Sequence, residues 1–87
     1  MTADPVFMYA TPWCPYCARA RTLLAAKGIL VQEIDIEAEP GQRVEMIRRS
    51  GRHTVPQIFI GERHVGGSDD LHALEAAGAL DALLHGR

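Results

Sequence analysis

Apolar residues in this chain come in short runs divided by charged and turn-forming segments, and their spacing predicts a sequence of elements. Val6-Phe7-Met8-Tyr9 is a short apolar run read as a strand. Arg19 to Lys27 is rich in Ala, Arg and Leu, which favour helix, and Lys27-Gly28 supplies a basic last turn followed by a C-cap glycine. From Ile29 to Ile36, Leu30, Ile34 and Ile36 fall on one side and Val31, Glu33 and Asp35 on the other, the near-alternation of a half-buried edge strand. Strand, helix and strand in this order predict two parallel strands with a right-handed crossover.

The pattern continues with a turn over Glu37 to Pro40. A helix is expected from Pro40 to about Ser50, with Val44 and Ile47 inward and Gly51 as its stop. Arg48 and Arg49 fall in its last turn, where positive charge suits the helix dipole, and read as a solvated basic face. Val55 to Ile60 is an apolar strand, Gly61-Glu62 a turn, and Arg63-His64-Val65 the returning arm of a hairpin. After Gly66-Gly67, Ser68-Asp69-Asp70 opens a further helix with good N-cap residues and an apolar stripe of Leu71, Leu74 and Ala77. Gly78 interrupts it, and Ala79 to His85 forms a last short helix. The order predicts an α/β fold, a four-stranded mixed sheet flanked by helices, in a single domain over residues 1–87.

Composition narrows the function. A formal net charge of −2 provides no field for nucleic acid. No apolar run approaches the ~20 residues of a membrane span, and Met1-Thr2-Ala3-Asp4 lacks the basic and apolar regions of a signal peptide. The two cysteines enclose too short a loop to staple a secreted fold. A cytoplasmic, monomeric protein with no nucleic-acid or membrane partner is the expectation.

Those two cysteines carry the candidate chemistry. Cys14-Pro15-Tyr16-Cys17 lies where the first strand ends and the first helix begins. Pro15 suits the first helical position, which places Cys14 at the helix N-terminus. Unpaired N–H groups and the helix dipole there favour a thiolate, and thiols so placed have pKa values lowered from ~8.5 to roughly 3.5–7.5. Cys17 lies nearly one turn on along the same face, deeper and less exposed. Cys14 is therefore read as the attacking thiolate and Cys17 as the resolving thiol. A structural zinc site usually takes four ligands, and His53, His64, His72 and His85 lack the paired spacing of a zinc finger. Pro56 removes a ladder donor, so Thr54-Val55-Pro56 is a bend before its strand. That bend exposes the N–H and C=O of Val55 to an extended peptide-like ligand.

Taken together, Cys14-Pro15-Tyr16-Cys17, Thr54-Val55-Pro56, Gly66-Gly67 and Ser68-Asp69-Asp70 resemble the dithiol class of glutaredoxins, of the small bacterial type, over Val6 to Leu84. The resemblance implies a thioredoxin-like fold with a cis proline, Pro56, opposite the cysteines. It implies a glutathione-dependent oxidoreductase that reduces glutathione mixed disulfides and protein disulfides. Glutathione is then a co-substrate, with no tightly bound cofactor and no metal. Glutathionylated or disulfide-containing proteins would be partners, with glutathione reductase and NADPH supplying electrons indirectly. By position, Cys14 resembles the nucleophile, Cys17 the resolving cysteine, and Tyr16 an aromatic residue lining the glutathione groove. Thr54 and Val55 resemble the segment pairing with the glutathione backbone. Ser68 and Asp69 resemble the residues that hold the γ-glutamyl end of glutathione, with Asp70 near its amino group and Gly67 among the contacts, and Arg43 resembles a contact to the glycine carboxylate. Thr11 stands where many relatives have Lys, and Ser68 where many carry a third cysteine. A redoxin served by a flavin-dependent reductase would carry Trp-Ser-Gly-Phe-Arg-Pro near Gly66 to Asp70. An iron–sulfur carrier usually has Ser or Gly near the first cysteine in place of Pro-Tyr-Cys.

Overall fold

The computed structural model describes residues 4–85, so the first three residues read above for a leader lie outside it. Eight elements follow in chain order: β1 (Val6–Ala10), α1 (Pro15–Ala26), β2 (Val31–Asp35), α2 (Gln42–Ser50), β3 (Gln57–Ile60), β4 (Arg63–Gly66), α3 (Ser68–Ala76) and α4 (Leu80–Leu84). The strands form one mixed sheet in the order β2-β1-β3-β4. β1 runs parallel to β2, with Val6 opposite Val31 and Ala10 opposite Asp35. It runs antiparallel to β3, with Phe7 opposite Phe59. β2 is thus the edge strand its alternation predicted.

Alternation along β1 and β3 builds two cores, one on each face of the sheet. Val6, Met8 and Ala10 join Ile58 and Ile60 beneath α1, α3 and α4, where Ala20, Leu24, Leu71, Leu80 and Leu84 are buried. Tyr9 and Phe59 point the other way and meet Met46 of α2 and Ile36.

Several expectations are corrected. α2 begins at Gln42, not Pro40. The Asp35 carboxylate accepts the N–H groups of Glu37 and Ala38, which extends the turn. Gly41 then takes φ 92°, a left-handed conformation that no helix continues through. Within α2, Met46 is buried and Ile47 packs against the same core as expected, whereas Val44 is 70% exposed. Leu30 precedes β2 and is 91% exposed, so it does not share the buried side of Ile34 and Ile36. Ala77 lies beyond the end of α3 and is exposed. Arg49 is not part of a solvated face: its guanidinium lies 4.1 Å from the centroid of Phe59 and donates to the Tyr9 hydroxyl at 3.0 Å. Arg48 remains exposed and pairs with Glu45 one turn back.

Candidate active site

Cys14 is the N-cap of α1, with extended backbone, and Pro15 occupies the first turn. A strand ending at Ala10 and a proline-started helix force the chain to turn there, which leaves Cys14 half-exposed beyond the C-terminal end of β1. Its Sγ accepts the N–H of Cys17 at 3.3 Å. Its thiol donates to the Val55 carbonyl, Sγ···O 3.7 Å, across 41 residues of sequence. Cys14 is half-buried, whereas Cys17 is fully buried, and both are free thiols. Burial, reinforced by a hydrogen bond with Cys14, pushes the Cys17 thiol up to about 12. The environment therefore separates the two sulfurs: one reaches solvent and a backbone donor, the other is held protonated.

The Val55–Pro56 peptide bond is cis, as the resemblance implied. Beside it lies a groove of about 280 Å³. Thr54, Val55 and Pro56 form one wall, Gly67 to Asp70 the other, and Tyr16 and Arg52 complete the lining. Other concavities are larger, about 310, 320 and 460 Å³, but none of these is lined by the Thr54–Pro56 bend whose Val55 carbonyl meets Cys14. Size therefore does not select the site; the Cys14 thiol and the exposed peptide do. Tyr16 is 55% exposed and lines the groove.

The second wall is the first turn of α3, which begins at Ser68 with Gly67 as N-cap. Asp70 reaches back and accepts the Gly67 N–H at 2.9 Å, and Arg52 donates to the same carboxylate oxygen at 2.8 Å. The Arg52 guanidinium, and next the Gly67 N–H, hold the Asp70 carboxyl below its ordinary range. Asp69 is exposed at the groove, while Ser68 is buried and its carbonyl accepts the Nδ1–H of His72 at 2.8 Å. Thr11 is buried.

The structure thus brings together Tyr16, Thr54, Val55, Pro56, Gly67, Ser68, Asp69 and Asp70 around one groove, with Cys14 facing Val55. Arg43 is not among the lining residues; its exposed guanidinium donates to the His53 carbonyl at 3.5 Å, next to the Thr54 wall. Arg52 was missed by sequence reading. It lies in an irregular Gly-Arg-His loop, where no periodicity reports a side chain's direction. Gln57 was missed too, although a carboxamide inside an apolar strand is a signal, because a buried amide needs partners.

The glutaredoxin family model matches residues 6–65 of the chain. A glutaredoxin of Pseudomonas aeruginosa is 61% identical over 80 residues, covering 92% of this chain and 95% of that protein. The solution structure of a glutaredoxin from Brucella melitensis superposes with a TM-score of 0.86 at 57% identity, covering 100% of this chain and 96% of that one. A buckwheat glutaredoxin–glutathione complex superposes equally well, TM-score 0.86, at 30% identity over 93% of this chain and 76% of that one.

Proposed function

This chain belongs to the glutaredoxin family and has its thioredoxin-like fold, and from that premise we propose that it uses glutathione to reduce mixed disulfides and protein disulfides. The coarser activity, thiol–disulfide exchange, is that of the family. The observation that carries the finer reading is the Cys14 sulfur 3.7 Å from the carbonyl of Val55, a residue that also lines the groove. A tripeptide lying along that wall would present its sulfur to Cys14. The glutathione-bound buckwheat relative of the same fold supports this choice of ligand.

In the proposed cycle the Cys14 thiolate attacks the glutathione sulfur of a mixed disulfide. The Cys14–glutathione disulfide forms, the old bond breaks, and the substrate leaves as a thiolate that takes up a proton. A second glutathione, as thiolate, attacks the new bond, releases glutathione disulfide and restores Cys14. With a protein disulfide, Cys17 loses its proton and attacks the Cys14–substrate bond, leaving a Cys14–Cys17 disulfide for glutathione to reduce in two exchanges. Glutathione reductase and NADPH return the glutathione disulfide to thiol.

Recognition follows from charge and backbone. The N–H and C=O of Val55 pair with the cysteinyl peptide unit of glutathione. The N–H groups opening α3 at Ser68 and Asp69 receive the γ-glutamyl carboxylate, as a helix N-terminus suits an anion. Asp69 meets the ammonium group. Asp70, already engaged by Arg52 and Gly67, braces this wall, and Arg52 and Arg43 offer positive charge to the glycine carboxylate.

The test is a coupled assay with glutathione, glutathione reductase and NADPH on a glutathionylated thiol, run beside one with thioredoxin reductase. Saturable turnover is expected in the first and little in the second. Cys14→Ser abolishes turnover, whereas Cys17→Ser retains it on the glutathionylated thiol and loses most reduction of protein disulfides. Equal loss in both variants on the glutathionylated thiol would refute the reading.

A further inference from the structure

Gln57 opens β3 directly behind the groove wall and is wholly buried. Its side-chain nitrogen lies 3.0 Å from the Thr54 carbonyl and 3.3 Å from the Thr54 hydroxyl. Its side-chain oxygen lies 2.7 Å from Nε2 of His64, on the neighbouring strand β4. A carbonyl only accepts, so the atom facing Thr54 is the amide nitrogen and the other is its oxygen. Nε2 of His64 must then carry a proton, and the direction of the whole chain is set: His64 donates to Gln57, and Gln57 donates to Thr54.

His64 is itself held. Its ring lies 4.9 Å, centroid to centroid, from that of Phe59 in the second core. Burial, and next the nearby positive charge of Arg52, lower its pKa, which favours the neutral ring. The network runs from the hairpin core to the one stretch of irregular backbone that faces Cys14. Thr54 itself is exposed and has no strand partner, since β3 begins only at Gln57. Among the described residues, the Thr54 side chain and carbonyl are tied to the protein only through this carboxamide.

We infer that Gln57 is a positioning residue for the redox site: relayed from His64, its carboxamide fixes the Thr54–Val55 peptide at the height where a bound thiol peptide meets Cys14. This inference rests on the glutathione reading above for the identity of that peptide. It adds that recognition depends on a buried side chain that never touches the ligand. Replacing the carboxamide with an apolar side chain frees Thr54 and leaves the His64 donor and the Thr54 carbonyl unpaired.

Two variants test it. Gln57→Met removes the relay at a nearly unchanged volume. His64→Phe keeps the stacking on Phe59 and removes only the donor, so it stands in if the first variant folds poorly. The expected result is an apparent KM for glutathione raised about fivefold for each hydrogen bond lost, with kcat changed by less than about twofold. Amide order parameters of Thr54 and Val55 measured by NMR relaxation should fall in the ligand-free variants while those of β1 stay unchanged. Unchanged order parameters overturn the positioning role whatever the ligand is, and so do lowered ones with an unchanged KM. If instead the unmodified protein shows no saturation with glutathione, the functional reading fails, and the relaxation data alone decide the role of Gln57.

Discussion

Cys14 and Cys17 stand three positions apart in different media. Cys14 is half-exposed at a helix N-terminus and accepts a backbone N–H; Cys17 is sealed in the core, its thiol pushed from 9.0 to about 12 by burial first and by Cys14 second. At pH 7 iodoacetamide should therefore modify one cysteine in the folded protein, identified as Cys14 by peptide mass, and reach Cys17 only after unfolding. The same shift links stability to pH. Cys17 holds its proton more tightly folded than unfolded, so its contribution is whole below about pH 9 and declines as the pH rises toward about 12. The decline is on the order of 1 kcal/mol per pH unit over that window. Urea unfolding of the reduced protein across it should show a steeper loss than Cys17→Ala, which lacks the titrating group. Equal slopes would mean that the unfolded chain holds the proton as tightly. Residue types alone announced this inequality, because Pro15 and the strand-to-helix junction placed one cysteine at a helix end and the other one turn in.

The elements around the site differ in how much of them was legible. α1 starts where Pro15 said it would, and the β3–β4 hairpin and α3 follow their turn signals. The link between β4 and α3 carries a constraint that the Gly66-Gly67 pair only hinted at. Gly66 has φ 120°, and a Cβ added there would lie 2.3 Å from Asp70 Oδ2 and 3.0 Å from its Cβ. Both the backbone conformation and the contact with α3 require glycine. Gly66→Ala should cost about 1–3 kcal/mol in strain and clash, read as a lower urea midpoint. It should also raise the apparent KM for glutathione, since Asp70 must give up Gly67 and Arg52 to make room. A variant with native stability and native KM would show that the α3 N-terminus does not depend on this junction.

At the scale of the whole molecule the sheet is covered unequally. Three helices seal one face over eleven buried residues, while α2 alone covers the other over four. Arg49 lies across the smaller core, with its guanidinium over Phe59 and its N–H on Tyr9. Met46 is the only fully buried side chain that α2 contributes. Met46→Ala should therefore cost about 2–5 kcal/mol, a large share of the roughly 5–15 kcal/mol that holds a small domain together. In native-state hydrogen exchange, α2 amides should open at lower free energy than those of α1, and Met46→Ala should widen that gap. Equal protection of both helices would mean that the two faces open together.

The sequence by itself determined the order of elements, the parallel β1–β2 pair at one edge, the placing of the two cysteines one turn apart at the start of α1 and which of them is the more exposed. These follow from local rules: the strand period, the proline at a helix start, and short-range spacing along a helix. It also marked Thr54-Val55-Pro56 and Ser68-Asp69-Asp70, because backbone breaks are written in residue type. Only the tertiary structure decided where α2 starts, delayed two residues by Asp35 and Gly41, and that its packing buries Met46 while leaving Val44 outward. It alone decided that Arg49 stacks on Phe59, that Arg52 and not Arg43 lines the groove, and that Gln57 ties Thr54 to His64. Each of these depends on side chains from separate elements meeting across the sheet, and the distance between such groups is set by packing rather than by any spacing along the chain.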